Sequence, residues 1–190
     1  MTYGATDTER QLSLAEYECL TDDGDDRLEL DGGWLVREPP PGAAHGWIQA
    51  RLAHRLMAHV QENRLGLVLV ETGVVLVQNP ATVRGPDISF TRAERIEWQE
   101  PPDGFLRIPP DLVIEVISPS GTADQSYQKV VQYLDAGVRV VWVVHPRSRT
   151  VMEYRSRDVI RLLRQGDALH AEDILPGFVY ALNELFAPLR

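Results

Sequence analysis

Two carboxylates and one lysine occupy positions from which they could carry out metal-assisted chemistry. Asp87 follows Pro86 at the head of the short segment DISF, and Glu115 interrupts the apolar run LVIEVI. Lys129 lies further on, in a segment whose apolar residues have helical spacing. Carboxylates from adjacent strands can bind a hard divalent cation through oxygen, usually with several waters retained. A metal-bound water can attack a phosphodiester, and a nearby lysine can orient that water and offset charge developing on the phosphate.

Glu115 carries the strongest physical argument of the three. The run around it is β-branched and apolar and is bounded by Pro110 and Pro119, which is typical of a strand covered on both faces. An unpaired buried carboxylate costs several kcal/mol, comparable to the whole stability of a small domain. Glu115 must therefore be paired, protonated or bound to a metal.

Each of the three residues also has a purely structural explanation. An aspartate after a proline is most often a turn or strand-end residue, so Asp87 alone favours a structural role. Glu115 could form an ion pair with Lys129 without any metal, because structural ion pairs also perturb buried carboxylates. Lys129 alone is most simply a solvent-facing helix residue. Only the order and setting of the three together favour a site.

Hydrophobic periodicity predicts the elements that would position these side chains. The segments Arg27–Asp31 and Trp34–Glu38, joined by two glycines, predict a β-hairpin. Apolar residues every three or four positions predict a long amphipathic helix from about 44 to 64. A strand around Glu115, a helix over 123–136 ended by Gly137, and a strand over 138–144 predict a βαβ unit with a right-handed crossover.

The remaining segments predict smaller elements within one domain spanning residues 1–190, of which residues 1–12 are expected to be flexible. These elements are a short helix at 14–20, two strands or one bent strand at 67–77, a turn-rich loop at 79–86, a long loop at 91–110, a hairpin at 150–163 and a closing helix at 181–186.

Composition is that of an ordinary soluble protein. The 190 residues are 44% hydrophobic and 25% charged, and no apolar run approaches the roughly 18 residues of a membrane-spanning helix. The polar N-terminus does not resemble a signal peptide, and a single cysteine, Cys19, excludes an internal disulfide. We therefore expect a cytoplasmic protein without a membrane partner.

The formal net charge of −9 argues against nucleic-acid binding, because basic surface drives association with a phosphate backbone. Local arginine clusters could still form a basic surface, and a bound divalent cation would add positive charge at the site itself. Charge alone therefore does not exclude DNA. The clusters are Arg51, Arg55 and Arg64 in one segment, and Arg147, Arg149, Arg155, Arg157, Arg161 and Arg164 in another.

In their setting these residues resemble the PD-(D/E)XK nuclease superfamily, specifically its bacterial branch of restriction-endonuclease-like proteins, first catalogued as a domain of unknown function. Pro86-Asp87 matches the PD element, and Glu115 matches the acidic residue of (D/E)XK. The resemblance extends through LELDGG, HGWIQ, GPDISF, PDLVIEVISPS, KVVQYLDAGV, VVWVVHP and LPGF. It implies an α/β fold at the α+β boundary, with a restriction-endonuclease-like mixed central sheet flanked by helices and an N-terminal hairpin.

The chain departs from the superfamily pattern at two positions. Ile117 occupies the place of the expected lysine, two residues beyond Glu115, where strand alternation puts both on one face. The branch supplies its lysine from the following helix in a K-x-x-x-Y pattern, matched here by Lys129 and Tyr133. His145 stands where branch members more often have aspartate, and it is not counted as a ligand.

The resemblance implies a Mg²⁺ site, with Mn²⁺ as a substitute, formed by Asp87, Glu115 and the main-chain carbonyl of Val116, with Lys129 positioning the attacking water. Three further residues match the branch and are accessory candidates, namely Glu29, His45 and Tyr133. For His45 a structural role is also open, because a histidine in the first turn of a helix is often a surface or capping residue.

Other polar residues are weaker candidates. Asp111 lies four strand residues from Glu115, roughly 13 Å away, which is too far to share one ion. Glu71, within an apolar segment, is an outside candidate. Ser118 and Ser120 lack the G-x-S-x-G elbow of a nucleophilic serine.

These observations predict a Mg²⁺-dependent endonuclease that hydrolyses DNA phosphodiester bonds. Two alternatives stay open. A non-catalytic binding module that keeps the nuclease fold is favoured by the acidic charge, and a metal-dependent phosphoesterase would act on a small substrate. Because restriction-type enzymes often act as two-fold dimers, we expect a homodimer that uses the apolar, proline-rich segment 98–108. No motif identifies a base-reading element.

Overall fold

The computed structural model describes residues 10–20, 26–96, 103–118 and 122–188. A 3-10 turn spans Ala93–Arg95. In chain order the helices and strands are α1 (Leu14–Glu18), β1 (Arg27–Asp31), β2 (Trp34–Glu38), α2 (Ala43–Asn63), β3 (Gly66–Val70), β4 (Val74–Gln78), β5 (Ala81–Arg84), β6 (Ile88–Arg92), β7 (Leu112–Val116), α3 (Ala123–Ala136), β8 (Val140–His145), β9 (Thr150–Tyr154), β10 (Ile160–Leu163), β11 (Ala168–Ala171), β12 (Leu175–Ala181) and α4 (Leu182–Leu185).

A six-stranded mixed sheet lies at the centre, in the order β10-β9-β8-β7-β6-β3. β7 and β8 are parallel, with Val116 opposite Val144, whereas the other neighbouring strands are antiparallel. α3 connects the two parallel strands, because a parallel pair cannot be joined by a tight turn. α3 ends at Gly137, which has the positive φ of 103° that favours glycine. The predicted βαβ unit is therefore present.

The two longest helices cover opposite faces of this sheet. The α2 residues that recur at helical spacing are at most 2% exposed, and they pack against every second residue of the central strands. Burial of each large aliphatic side chain contributes roughly 1.5–3 kcal/mol. The predicted mixed α/β architecture is confirmed. The α2 face comprises Ile48, Leu52, Leu56 and Val60, and the α3 face includes Val130 and Tyr133 packed with Val113, Val141 and Val143.

The predicted hairpin of β1 and β2 belongs to a second sheet, in the order β2-β1-β5-β4. Its third strand, β5, lies within 79–86, so the prediction of a turn-rich loop there is wrong. Prolines at both ends of this segment indicate turns, but the four residues of β5 between them are all buried. Thr82 accepts a hydrogen bond of 3.1 Å from the Gly32 N–H, and Arg84 pairs with Glu29. Partners from distant segments therefore allow these polar strand residues to be buried.

The segment 67–77 forms two strands rather than one bent strand. β3 lies in the central sheet and β4 in the second sheet. The chain changes direction at Glu71, which has a left-handed φ of 50°, before reaching Gly73. This conformation places Glu71 at the junction between the two sheets.

The C-terminal third contains one feature that the sequence did not indicate. β9 and β10 form the predicted hairpin, and α4 is the predicted closing helix. Between them, β11 and β12 form a two-stranded antiparallel sheet whose Leu169, Leu175 and Phe178 join the α2 core. Across the described ranges, no helix combines the length and the apolar character needed to cross a membrane.

The structure describes only part of two predicted segments, the flexible N-terminus at 1–12 and the long loop at 91–110. Residues 1–9 lie outside the described residues, so the predicted flexibility of 1–12 stays a prediction; Leu12 is 9% exposed and donates a 2.7 Å hydrogen bond to the Gly33 carbonyl. The loop predicted at 91–110 begins inside β6, and 97–102, including Trp98, lie outside the described residues. Leu106 is 2% exposed and hydrogen-bonds with β4, so it belongs to the interior.

Candidate active site

Asp87 and Glu115 each lie next to a residue of one antiparallel strand pair. Asp87 immediately precedes β6, whose Ile88 is opposite Ile114 of β7, and Glu115 follows Ile114 along β7. Both side chains line one cavity of about 340 Å³, and Lys129 and His45 line it too. The structure therefore brings the three predicted catalytic residues to one place.

The Asp87 carboxylate is held on both oxygens. It is 1% exposed, and its Oδ2 accepts a 2.6 Å hydrogen bond from the backbone N–H of Val116. Oδ1 lies 3.0 Å from Nε2 of His45 and 3.3 Å from Nη1 of Arg27. Because the N–H and C=O of one strand residue lie on the same strand edge, the Val116 carbonyl is also on the Asp87 side of β7. Asp87 Oδ1 and this carbonyl are thus oxygen donors at one strand end.

Glu115 is half-buried, and its nearest partner is Tyr133. The Tyr133 hydroxyl, itself fully buried, donates a 2.6 Å hydrogen bond to Oε1 of Glu115. Burial raises the pKa of Glu115 to about 8; the charge of Lys129 opposes this shift, and the negative charges of Asp87 and Glu29 add to it. Burial and the Glu115 charge also raise the pKa of Tyr133 well above its usual value, so the phenol stays a donor.

Lys129 is ion-paired, but with partners other than the one considered from the sequence. Its Nζ lies 2.9 Å from Oε2 of Glu29 and also contacts Glu38. Among the described residues, no ion pair within 4.0 Å joins Lys129 to Glu115, so the Glu115–Lys129 ion pair considered from the sequence is wrong, and Glu29 and Glu38 are the partners of Lys129. Burial alone would lower the pKa of Lys129, but Glu29, Glu115 and Glu38 outweigh it and hold the pKa above its usual value. Lys129 is a fixed cation.

Glu29 lies behind Lys129 rather than in the cavity. It is 2% exposed and accepts hydrogen bonds from Arg84 at 2.8 Å and from the Gly85 N–H at 3.0 Å, in addition to its contact with Lys129. Although burial opposes it, the Lys129 and Arg84 charges lower the pKa of Glu29. Glu29 therefore positions Lys129.

His45 is a buried member of the site and not a surface residue. It lies in the first turn of α2, is 4% exposed, and bridges Asp87 and Ser118 through its two ring nitrogens, at 3.0 Å and 3.2 Å. The N-cap of α2 is Gly42, so His45 is not the capping residue. His45 orients the Asp87 carboxylate.

Sequence reasoning missed Arg27 and Gln49 and underestimated Glu71. Nη1 of Arg27 lies 3.3 Å from Asp87 Oδ1 and 3.4 Å from Glu71 Oε1. The Gln49 amide donates to Glu71 Oε1 at 2.9 Å and to the Asp87 carbonyl at 3.1 Å. For Arg27 the sequence did contain a signal, because strand alternation in β1 puts Arg27 on the same face as the candidate Glu29.

The other residues considered from the sequence have structural positions. Asp111 is fully buried, accepts a 2.9 Å hydrogen bond from Arg92 Nε and forms a 2.9 Å ion pair with Arg95. Ile117 packs with the apolar residues beneath α3, on the Glu115 face. His145 ends β8, where burial lowers its pKa.

The donor set fits a magnesium ion that retains water. Among the residues that the structure describes, no three His, Cys, Asp or Glu side chains are placed to hold a metal together. Asp87 Oδ1, Glu115 and the Val116 carbonyl are all oxygen donors, and Mg²⁺ commonly takes one or two carboxylates and keeps several waters. The residues present therefore fit Mg²⁺ or Mn²⁺.

This fold is that of a restriction-endonuclease-like protein of the PD-(D/E)XK type. The model of the Uma2 family, described as "putative restriction endonuclease", matches residues 14–183, and the chain belongs to this family. A crystal structure described as a "putative nuclease" from Anabaena variabilis is similar in fold, with a TM-score of 0.82 and 21% sequence identity, covering 93% of this chain and 98% of that chain. No curated protein sequence matches the chain at a significant level.

Proposed function

We propose that the chain is a Mg²⁺-dependent endonuclease that hydrolyses DNA phosphodiester bonds. One observation carries the proposal: Asp87 and Glu115, which adjoin the paired residues Ile88 and Ile114, line one cavity that Lys129 also lines. Family membership supports nuclease chemistry. A cytoplasmic location, inferred from composition, suits a DNA substrate.

Asp87 Oδ1, Glu115 and the Val116 carbonyl would hold the ion, and Mn²⁺ would substitute. When bound, the ion supplies a water of lowered pKa and positive charge against the phosphate. Burial favours protonated Glu115, whereas a nearby cation favours the carboxylate, so ion binding and loss of the Glu115 proton are coupled.

The residues around the two carboxylates prepare them for this role. The hydrogen bond from Tyr133 fixes Oε1 of Glu115, while Val116 and His45 fix the Asp87 carboxylate. Lys129 stays protonated, and its ammonium can donate to the attacking water or to a phosphate oxygen at the cavity. Because Glu29 and Glu38 hold Lys129 in place, little reorganisation is needed when negative charge develops.

The direct test replaces Glu115 with Gln and measures nicking of plasmid DNA with Mg²⁺ or Mn²⁺. We expect loss of cleavage by roughly a hundredfold or more, because one oxygen ligand becomes a neutral amide. Glu62→Gln, on the exposed side of α2, is the matched control and should cleave at the wild-type rate. Equal activity of Glu115→Gln and wild type, each purified in parallel, would refute the assignment.

A non-catalytic binding module is the second candidate. It is favoured by the ion pairs of Lys129 with Glu29 and Glu38, which satisfy the ammonium without substrate, and by the net charge of −9. Calorimetry separates the two functions. Mn²⁺ binding that Asp87→Asn abolishes supports the nuclease, whereas no such binding and no retention on DNA at low salt supports the module.

A phosphoesterase acting on a small substrate is the third candidate. Asp31 and Glu38 line the cavity together with the site, and a small phosphate ester meets less repulsion from such a surface than duplex DNA does. Hydrolysis of bis(p-nitrophenyl) phosphate without plasmid nicking is the result that would favour this function.

We also propose that the protein acts as a homodimer, because both strands of a duplex must be reached. Of the segment 98–108 expected at the interface, Leu106 is internal, and Phe105 stacks on Tyr17. Sedimentation at micromolar concentration tests the proposal, and a monomer there would contradict it.

A further inference from the structure

Arg27 brings a guanidinium to the cavity-facing oxygen of Asp87. Asp87 Oδ2 accepts from the Val116 N–H, whereas Oδ1 lies 3.0 Å from His45 Nε2 and 3.3 Å from Nη1 of Arg27. The same nitrogen is 3.4 Å from Glu71, and Nη2 is 3.3 Å from Glu38. The guanidinium is thus surrounded by three carboxylates at the place where a divalent cation would bind.

Arg27 is held far more loosely than the neighbouring arginine. Arg84 contacts Glu29 and Asp31 at 2.8 and 2.7 Å with a side chain 4% exposed. Among the described residues, the carboxylates paired with Arg27 lie at 3.3 Å or more, and its side chain is 26% exposed. Charge-assisted hydrogen bonds between these groups are normally about 2.7–2.9 Å. Arg84 is therefore a fixed structural cation, while Arg27 is held by the summed charge of three acids and can move.

We propose that Arg27 is the internal counter-ion of the cation site: it leaves Asp87 Oδ1 when a divalent cation binds there, and its guanidinium then binds the substrate phosphate. This inference rests on the proposed nuclease function. Two cations cannot share one carboxylate oxygen without strong repulsion. Glu38 and Glu71 keep the displaced side chain at the cavity, and a planar guanidinium suits a bidentate phosphate contact.

Lys129 is a poorer candidate for this movement. Glu29, its partner at 2.9 Å, is 2% exposed, so withdrawal of the ammonium would leave a buried carboxylate with one cation fewer. The partners of Arg27 beyond Asp87 are partly exposed, with side-chain exposures of 26% for Glu38 and 37% for Glu71, and water can solvate them. Of Lys129 and Arg27, Arg27 is therefore the cation that can exchange.

The test measures two affinities in Arg27→Gln. Calorimetric titration with Mn²⁺ should give binding roughly tenfold tighter than in wild type, because a competing positive charge is gone. Retention of a short DNA duplex in Ca²⁺ should become weaker by a similar factor. A purely structural role of Arg27 would weaken both affinities. Tighter Mn²⁺ binding together with weaker DNA retention therefore distinguishes the proposed role from a structural one. Arg139→Gln, which removes an exposed arginine paired with Asp173, is the matched control and should change neither affinity more than about twofold.

Arg27→Lys covers the case in which Arg27→Gln does not fold, as judged by its thermal transition. One ammonium cannot contact three carboxylates as the guanidinium does, so the Mn²⁺ affinity should rise by a smaller factor, and an unchanged affinity overturns the inference. If neither wild type nor any Arg27 variant binds Mn²⁺ through Asp87, the proposed function fails with it. If wild type binds Mn²⁺ but Arg27→Gln binds no more tightly, the Arg27 inference alone fails.

Discussion

The hydroxyl of Tyr133 on α3 donates a 2.6 Å hydrogen bond to Oε1 of Glu115 on β7. One turn earlier on the same face of α3, Lys129 faces the same cavity. A single helix therefore orients the strand carboxylate and supplies the site's lysine. This arrangement explains how Ile117 can occupy the superfamily's usual lysine position while the cavity keeps a cation.

Tyr133→Phe should weaken Mn²⁺ binding without disrupting the fold. The hydrogen bond favours ionised Glu115, so its loss raises the pKa of Glu115 further and makes the proton a stronger competitor. We expect roughly three- to tenfold weaker binding at pH 7 and a smaller difference at pH 9, measured by calorimetry. Tyr127→Phe, on the exposed part of the same helix, is the control; an effect of equal size there would contradict the mechanism.

The stability of the metal-free protein should depend on pH through Glu115. The folded pKa of about 8 lies above the ordinary value of 4.5, so the folded state holds a proton that the unfolded chain has released. The stabilisation that this bound proton gives the folded state is complete below the unfolded pKa and is lost as pH rises through the folded pKa. Between pH 5 and 9, wild type should lose roughly 1–3 kcal/mol relative to Glu115→Gln in urea unfolding. Parallel stability curves for the two proteins would rule out this shift.

Lys129 and Glu29 should be strongly coupled in stability. Lys129→Met leaves Glu29 buried with one cation fewer and should lower the free energy of unfolding by roughly 3–5 kcal/mol. In Lys129→Met with Glu29→Gln the uncompensated charge is gone, so the double variant should recover a large part of that loss. A double-mutant cycle from urea unfolding measures the coupling. Simple additivity of the two changes would mean that the 2.9 Å contact contributes no interaction energy.

His45→Ala should reduce cleavage and Mn²⁺ affinity together. Removal of the imidazole frees Asp87 Oδ1 from its 3.0 Å contact and lets the carboxylate rotate. Groups that orient a ligand typically contribute 10- to 100-fold, so we expect a loss of about that size in plasmid nicking and in calorimetric affinity. His54→Ala, an exposed histidine on the same helix, is the control. Full Mn²⁺ affinity with lost cleavage would indicate that His45 acts on the substrate instead.

Much of the framework could be predicted because local signals agree there. The long helix and the hairpin lie within a residue of their predicted bounds, since helical spacing, strand alternation and a glycine pair at φ of 56° and 87° all indicate the same structure. β5, β11 and β12 could not be predicted, because these short strands lack the clear alternation and the glycine turn that mark the hairpin. In β5, burial of Arg84 depends on Glu29, 55 positions earlier.

The sequence by itself predicted that Asp87 and Glu115 would lie near each other, because one carboxylate immediately precedes a strand and the other lies inside the next strand along the chain. Only the tertiary structure decided which cations surround them. Arg27 reaches Asp87 across 60 positions, and Lys129 is held by Glu29 and Glu38 of the hairpin. Ion pairs require side-chain tips within a few ångströms, and that distance is set by how the second sheet packs against the central sheet and α3, not by spacing along the chain.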